Sequence, residues 1–337
     1  MSHSPQLEIL DLRHFSAAQL KPLLRDEADR WQRRLRWDYS SATSMLLEYL
    51  DSRILPGFVA LRDGRIVGYA FCVTEGSKAV IGDIYALGET ESTHNPICDT
   101  LLHHLLELLQ ATPGVDRVES QLLMFPAGAL AEPFRARGFR SSPRLFMMAH
   151  LKELVAHMHP APPPLPPGVN LLLQSWQPEF YEGAAALIHR CYAGHMDASI
   201  NDQYRTLHGA QRFLHNIIRF PGCGVFDPES SWVLREAGTP APHPSAIHAI
   251  LLCSRVRPDI GHITQLCVSP TMRGHGLGQT LLQHCAAESD QRGLRSLTLT
   301  VTEANTAALH LYERNDFTTL HRFEAMVWDE SPIEPSR

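Results

Sequence analysis

The sequence predicts an α/β (α+β) fold laid down twice in tandem. Three observations point there. An apolar run at 263–268 feeds a glycine turn and then a helix pattern, and a second strand–helix pair starts at Ser296. A proline run near the middle divides the chain into halves of domain size, each with its own strands and helices. At 337 residues the chain is long enough for two domains, and its 44% hydrophobic and 20% charged residues are ordinary globular composition.

In the first half, Arg30, Arg33, Arg34 and Arg36 lie in a helix-like stretch with two Trp and read as a solvated helix face. Residues 58–73 read as two strands joined by an Asp63-Gly64 turn, and 79–87 as a further strand. A Leu-rich helix is expected at 99–110 and a strand at 115–123. Six of the eight residues from 160 to 167 are Pro, which favours a stiff extended spacer and excludes helix or central strand. The expected division is therefore a domain at 1–158, a linker at 159–168 and a domain at 169–330.

In the second half, strand-like runs at 231–235 and 246–256 flank a Pro cluster at 239–244, read as a long hairpin loop. The strand at 263–268 leads into a turn holding Arg273, Gly274, Gly276 and Gly278. A helix follows at 279–290, with apolar residues 277, 281, 282, 285 and 286 on one face and Gly293 as its terminator. Residues 296–301 then alternate apolar and polar, as a half-buried strand should.

Strand, glycine turn and helix start together make an anion site. Glycines let backbone approach a phosphate closely, and the helix N-terminus offers N–H groups and a positive dipole end. Arg273 adds a cation. The turn lacks the Lys-Ser/Thr ending of a nucleoside-triphosphate loop and does not match the dinucleotide fingerprint.

Arg273-Gly274-His275-Gly276-Leu277-Gly278 resembles the pyrophosphate loop of the GNAT N-acetyltransferase superfamily. A second motif of that family, Asn-x-x-Ala-x-x-Leu-Tyr-x-x-x-Gly-Phe, is similar to the run carrying Asn305, Ala308, Leu311, Tyr312 and Phe317, with Asp316 in place of the usual Gly. The resemblance is sharp over 261–328. It implies two tandem GNAT-like domains, each a mixed, largely antiparallel sheet flanked by helices. It also implies direct acyl transfer from acetyl-CoA to an amine, with acetyl-CoA as co-substrate.

The resemblance carries over residue by residue. Arg273, Gly274, His275, Gly276, Leu277 and Gly278 would hold the pyrophosphate. Backbone N–H groups at Leu266, Cys267 and Val268 would polarise the thioester carbonyl. Asn305 would contact the CoA arm or simply cap its helix. Tyr312 would protonate the leaving thiolate, since a phenol with pKa near ~10 is still protonated at neutral pH. Many relatives carry Glu where Gln265 stands, and Gln cannot take a proton. Glu303, His262, His195 or a water chain are the alternatives for a base, with Glu303 named as the catalytic candidate. Cys267 also admits a covalent acyl-Cys route, although a small apolar Cys in a strand more often just packs. Tyr192, His195 and Asp197, with Tyr204 nearby, form a mixed polar and aromatic set for the acceptor, Asp197 being able to pair with a cationic amine.

The first half is similar in plan but lacks the loop. Aligned by Thr100-Leu-Leu with Thr280-Leu-Leu, it offers Thr93, His94, Pro96 and Cys98 where the second half has Arg273, Gly274, Gly276 and Gly278. Aligned by Phe139 with Phe317, it places Phe134 at Tyr312 and Ala127 at Asn305. It is expected to keep the fold and to have lost acyl-CoA binding.

A net charge of −6 and a pI near 6.3 argue against nucleic acid or an anionic membrane as the main partner. Seven Cys without metal spacing read as reduced thiols of a cytoplasmic protein, and the scattered His residues make no metal set. Two other functions compete with small-molecule acetylation: protein or peptide N-acetylation, and a non-catalytic acyl-CoA-binding module. Oligomeric state, acyl chain length and acceptor identity are not encoded legibly.

Overall fold

The computed structural model describes residues 7–88, 95–156, 165, 167, 169–220, 222–239, 243 and 245–330. The Pro-rich run at 159–168, Thr93 and His94 thus fall wholly or mostly outside the described residues. By contact the chain forms two compact units. One comprises Met1–Leu35, Tyr39–Arg144 and Arg322–Arg337; the other comprises Arg36–Asp38 and Leu145–His321. Among the described residues no helix is long and apolar enough to cross a membrane.

The first unit opens with β1 (Leu7–Asp11), α1 (Ala17–Leu35) and α2 (Ser40–Asp51), followed by β2 (Gly57–Arg62), β3 (Arg65–Glu75) and β4 (Lys78–Ala86). Then come α3 (Pro96–Ala111), β5 (Arg117–Gln121), α4 (Ala131–Ala136) and the start of β6 (Arg140–His150). β1 to β4 pair antiparallel in order, and β5 joins β4 in parallel. Asp63 and Gly64 both take positive φ, 51° and 72°, the backbone a two-residue hairpin needs to match strand twist. Alternate side chains along the strands sort the core. Ala60, Ala70 and Ile84 meet Leu101, Leu102 and Leu105 of α3, while Val59, Tyr69 and Tyr85 meet Leu20, Leu24 and Leu46 of α1 and α2.

β4 carries a bulge. Asp83 pairs with Phe71 but Ile81 pairs with Cys72, leaving Gly82 over. A Cβ at Gly82 would lie 2.1 Å from the Phe71 ring, so only glycine fits. The bulge aims Asp83 at Glu27 of α1. Both are buried, at 5% and 1% exposure. Tyr69 Oη donates to Glu27 Oε2 at 2.6 Å, and Tyr39 Oη to Asp83 Oδ2 at 3.2 Å. Burial first, and the neighbouring Asp83 charge second, hold the Glu27 carboxyl well above the usual range.

The second unit takes the end of β6, then α5 (Leu151–Ala156), β7 (Leu171–Ser175), α6 (Tyr181–Tyr192), α7 (Asp197–Ile200) and α8 (Leu207–Arg219). β8 (Val225–Phe226), β9 (Trp232–Glu236), β10 (Ile247–Arg257) and β11 (Ile260–Val268) follow. The unit continues with α9 (Leu277–Gln291), β12 (Ser296–Thr302), α10 (Thr306–Glu313) and the first residues of β13 (Thr318–Asp329). Its strands run in the order β7, β9, β10, β11, β12, β6, with β8 on the far end of β10. The same layering recurs. Leu251 and Cys253 face Leu281, Leu282 and Cys285 of α9, while Ile250 and Leu252 face Leu187, Ile188 and Leu214 of α6 and α8.

The expected mixed, largely antiparallel sheet flanked by helices is present in both units. Two strands do not keep to one unit. β6 gives 140–144 to the first and 145–150 to the second, and β13 gives 318–321 to the second and 322–329 to the first. There β13 pairs antiparallel with β5, from Ala325↔Gln121 to Asp329↔Arg117. Buried Arg117 ties that pair together, reaching Glu119 and Asp329 at 2.6 Å each.

Candidate active site

The site begins with an interruption in pairing. β11 pairs with β10 out to Ala249↔Val268, but it pairs with β12 only from Ile260↔Ser296 to Ile263↔Leu299. Beyond that point β11 runs on to Val268 and β12 to Thr302 without pairing each other. A bulge marks the divergence: Gln265 pairs with Leu252 and Ile263 with Cys253, leaving Thr264 over, its hydroxyl donating to the Leu252 carbonyl at 3.1 Å. Leu266, Cys267 and Val268 therefore have a strand neighbour on one side and a cleft on the other. Backbone groups along the cleft are available to an extended ligand.

The loop follows at once. Ser269 N–H donates to the His248 carbonyl at 2.7 Å, and a single 3-10 turn, Pro270–Met272, leads to Arg273. Gly274 and Gly276 take φ of 84° and 73°, where a side chain costs about 1–2 kcal/mol. Gly276 is the N-cap of α9, with no side-chain cap bond and no acidic residue in the first turn. The positive end of the helix is thus left uncompensated. Leu277 is buried and anchors that first turn, while His275 is half-buried in the loop. The Arg273 guanidinium rests on the carbonyls of Val268 and Cys191, both at 3.4 Å. A Cβ on Gly278 would meet Leu311 at 3.4 Å and Leu266 at 3.6 Å, so α9 packs closely on both β11 and α10 here.

The corresponding helix of the first unit, α3, is closed. Its N-cap Asn95 accepts the Ile97 N–H at 2.9 Å, Pro96 has no N–H to offer, and Asp99 sits in the first turn. Matched cap to cap, Gly276 stands opposite Asn95, one residue from the pairing with Pro96 that the sequence suggested. Cys98 is buried inside α3.

On α6, Tyr192 at the helix end stacks on Tyr204, ring centroids 3.9 Å apart and 6° from parallel. Gln265 Nε2 donates to Tyr192 Oη and to Cys267 Sγ, each at 2.8 Å, and Gln265 Oε1 accepts from Tyr204 Oη at 3.4 Å. Asp197 opens α7, and its Oδ1 accepts from Thr302 Oγ1 at 2.5 Å. His195 Nδ1 accepts the Asp197 N–H at 3.2 Å. The structure thus brings Tyr192, His195 and Asp197 together with Gln265 and Thr302. No local pattern marks the Thr302 contact in advance, because it spans 105 positions.

Tyr312, on α10, is 7% exposed and packs on Phe317 with centroids 5.7 Å apart. Burial first, then the charges of Cys267 and Asp197, push its phenol above the ordinary range. Asn305 caps α10 through the Ala308 N–H at 3.2 Å. Glu303 follows Thr302 in the turn and is half-buried. His262 lies in the paired part of β11, flanked by the Trp37 and Phe146 rings and 2.9 Å from Thr298 Oγ1, away from the cleft. Burial raises the Cys267 thiol well above its usual range, which disfavours the thiolate an acyl-Cys route needs.

Comparison with known proteins adds an independent line. Residues 188–317 match the acetyltransferase (GNAT) family. Mycothiol acetyltransferase of Thermobispora bispora is 38% identical over 94 residues, 28% of this chain and 31% of that protein. Streptothricin acetyltransferase of Streptomyces lavendulae is 40% identical over 55 residues, 16% of this chain and 29% of that one. The matched stretches span less than a third of either relative. In fold, a GCN5-related N-acetyltransferase from Sphaerobacter thermophilus superposes with TM-score 0.60 at 16% identity, covering 97% of this chain and 96% of that one. A tandem GNAT protein from the clavulanic acid biosynthesis pathway gives 0.54 at 15% identity, covering 98% and 100%. Motif, cleft and fold agree: residues 188–317 carry an acetyltransferase (GNAT) family match, and the chain as a whole shares the fold of GNAT proteins, a tandem one among them.

Proposed function

We propose that this chain is an acetyl-CoA-dependent N-acetyltransferase that moves the acyl group directly to a primary amine of a small molecule, at a single site in the second unit. The observation that carries the reading is the contrast between two helix starts: α9 begins on Gly276 with no cap, beside Arg273 and an opened β11, whereas α3 is capped by Asn95 and begins on Pro96. An open, positively polarised helix end takes a pyrophosphate; a capped one does not. The first unit then serves as scaffold or shapes the substrate.

In this reading, residues 273–278 hold the pyrophosphate through backbone N–H groups, and the pantetheine arm lies along the cleft as an added strand. A backbone N–H among Leu266, Cys267 and Val268 faces the thioester oxygen, where negative charge grows during attack. Tyr312 supplies a proton to the departing sulfur, and its raised pKa keeps that proton available throughout the neutral range. Tyr192, Tyr204 and Asp197 receive the amine. Relatives named for mycothiol and streptothricin support a small-molecule acceptor. Seven free thiols suit a reducing compartment, and we place the enzyme in the cytoplasm.

Calorimetric titration with acetyl-CoA tests the reading. One site per chain is expected, lost in Gly276→Pro and weakened in Arg273→Ala. Two sites per chain, or binding that survives both changes, would overturn the single-site assignment.

A further inference from the structure

We propose that Asp197 is the group that takes the proton from the attacking amine, a role that rests on the acetyl-transfer reading above. Its position is the first ground. Thr302 is the last residue of β12, so the Thr302 hydroxyl holds the Asp197 carboxylate at the open end of the gap between β11 and β12. That is where an acceptor nitrogen must arrive if the thioester lies along β11.

The second ground is an uncommitted oxygen. Oδ1 is engaged by Thr302 at 2.5 Å. The nearest cationic candidate for Oδ2 is His195 Nδ1, 3.7 Å away, but that nitrogen accepts the Asp197 N–H and so presents a lone pair. Oδ2 is left for a donor from outside, and the side chain keeps 15% exposure through which one can reach it.

The surroundings agree. Tyr312 from α10, Tyr192 and His195 from the end of α6 and the turn beyond it, and Cys267 from β11 border the same space; the Asp197 charge acts on both phenols. Burial makes the phenols of Tyr312 and Tyr192 and the Cys267 thiol weaker acids that hold their protons. Gln265, on β11 at the divergence, is an amide that cannot take a proton and is engaged by Tyr192, Tyr204 and Cys267. Among the groups bordering this space, Asp197 is the carboxylate with an oxygen to spare.

The proton inventory closes. An ammonium docked on Oδ2 gives Asp197 one proton, and the freed lone pair forms the C–N bond while the carbonyl π electrons move to oxygen. As the C=O re-forms, the C–S bond breaks, sulfur leaves with the electron pair and receives the Tyr312 proton. The surplus proton on the new amide nitrogen restores the phenol, and Asp197 releases its proton to water. The sum is ammonium plus thioester giving amide, thiol and one proton.

The test is a thiol-release assay with acetyl-CoA and a panel of primary alkylamines, alongside hydroxylamine, which is largely unprotonated at neutral pH. For the best alkylamine, Asp197→Asn should lower kcat/KM by about 10²–10⁴-fold, the usual range for a lost acid–base group. With hydroxylamine the loss should be far smaller, and acetyl-CoA affinity by calorimetry should be unchanged. Thr302→Val keeps the carboxylate but frees it, and should show a weaker loss on the alkylamine alone. Equal losses on both acceptors, or an Asp197→Asn enzyme as active as wild type on the alkylamine, would refute the proton-acceptor role while leaving acetyl transfer intact. A wild-type protein that acetylates none of the amines would refute the function and this role with it.

Discussion

One amide joins two tyrosines in the cleft: Gln265 donates to the Tyr192 phenol at 2.8 Å and accepts from the Tyr204 phenol at 3.4 Å, bridging the stacked rings along their edge. Its loss removes the amide donor from the half-buried Tyr192 hydroxyl and from the Cys267 thiol. Gln265→Leu is therefore expected to cost about 1–3 kcal/mol, the usual penalty for orphaned buried polar groups. Thermal unfolding should show the loss, and amine KM should rise while acetyl-CoA affinity stays level.

Tyr312→Phe separates chemistry from packing. The ring stays against Phe317, so the melting temperature should shift little. The turnover rate should fall by roughly 10²-fold or more if the phenol protonates the sulfur. Because burial raises the phenol pKa, wild-type turnover should show no alkaline decline caused by Tyr312 as pH climbs through 9. Steady-state rates across pH 6 to 9 for both proteins check this.

The two helix starts predict opposite outcomes for similar changes. Gly276→Ala forces a Cβ into a φ of 73°, costs about 1–2 kcal/mol, and should weaken acetyl-CoA binding. Asn95→Ala removes a side-chain cap worth about 1 kcal/mol and should leave acetyl-CoA binding untouched. Paired calorimetry and thermal melts distinguish a binding cap from a structural one.

The buried Glu27–Asp83 pair predicts a pH effect with a definite sign. Burial holds the folded carboxyl of Glu27 well above its ordinary pKa of 4.5, so the folded state binds more protons than the unfolded one above that pH. Its contribution is full below about 4.5 and is lost as pH rises towards the folded pKa. Glu27→Gln removes the need to hold a proton. The mutant should gain stability relative to wild type as pH rises from 5 to 8, measured as the difference between their melting curves.

Much of this architecture was legible in advance because it is local. The Asp63-Gly64 turn, the glycine loop and the strand at 296–301 all declare themselves through backbone preference or period. Element ends moved by only a few residues, as when α9 began at Leu277 rather than 279. What sequence could not show is set by tertiary register. The bulges at Gly82 and Thr264 place Asp83 and Gln265 at equivalent points, 182 positions apart, whereas the cap residues differ by 181 and the Phe139–Phe317 pair by 178. No single offset aligns the halves, since loops of different length intervene. The Thr302–Asp197 bond and the burial of Glu27 on a helix likewise depend on which faces meet.

The strand exchange has a consequence for dissection and for ancestry. A cut at the proline run leaves 145–150 on the first fragment, although those residues complete the second sheet beside β12. It leaves 322–329 on the second fragment, although they cover β5. Each piece would carry a bare sheet edge and one orphan strand, a combination prone to aggregation rather than autonomous folding. The half without the glycine loop therefore cannot be removed by simple deletion: the second unit takes one strand segment, 145–150, from the first half of the chain, and the first unit takes 322–329 from the second.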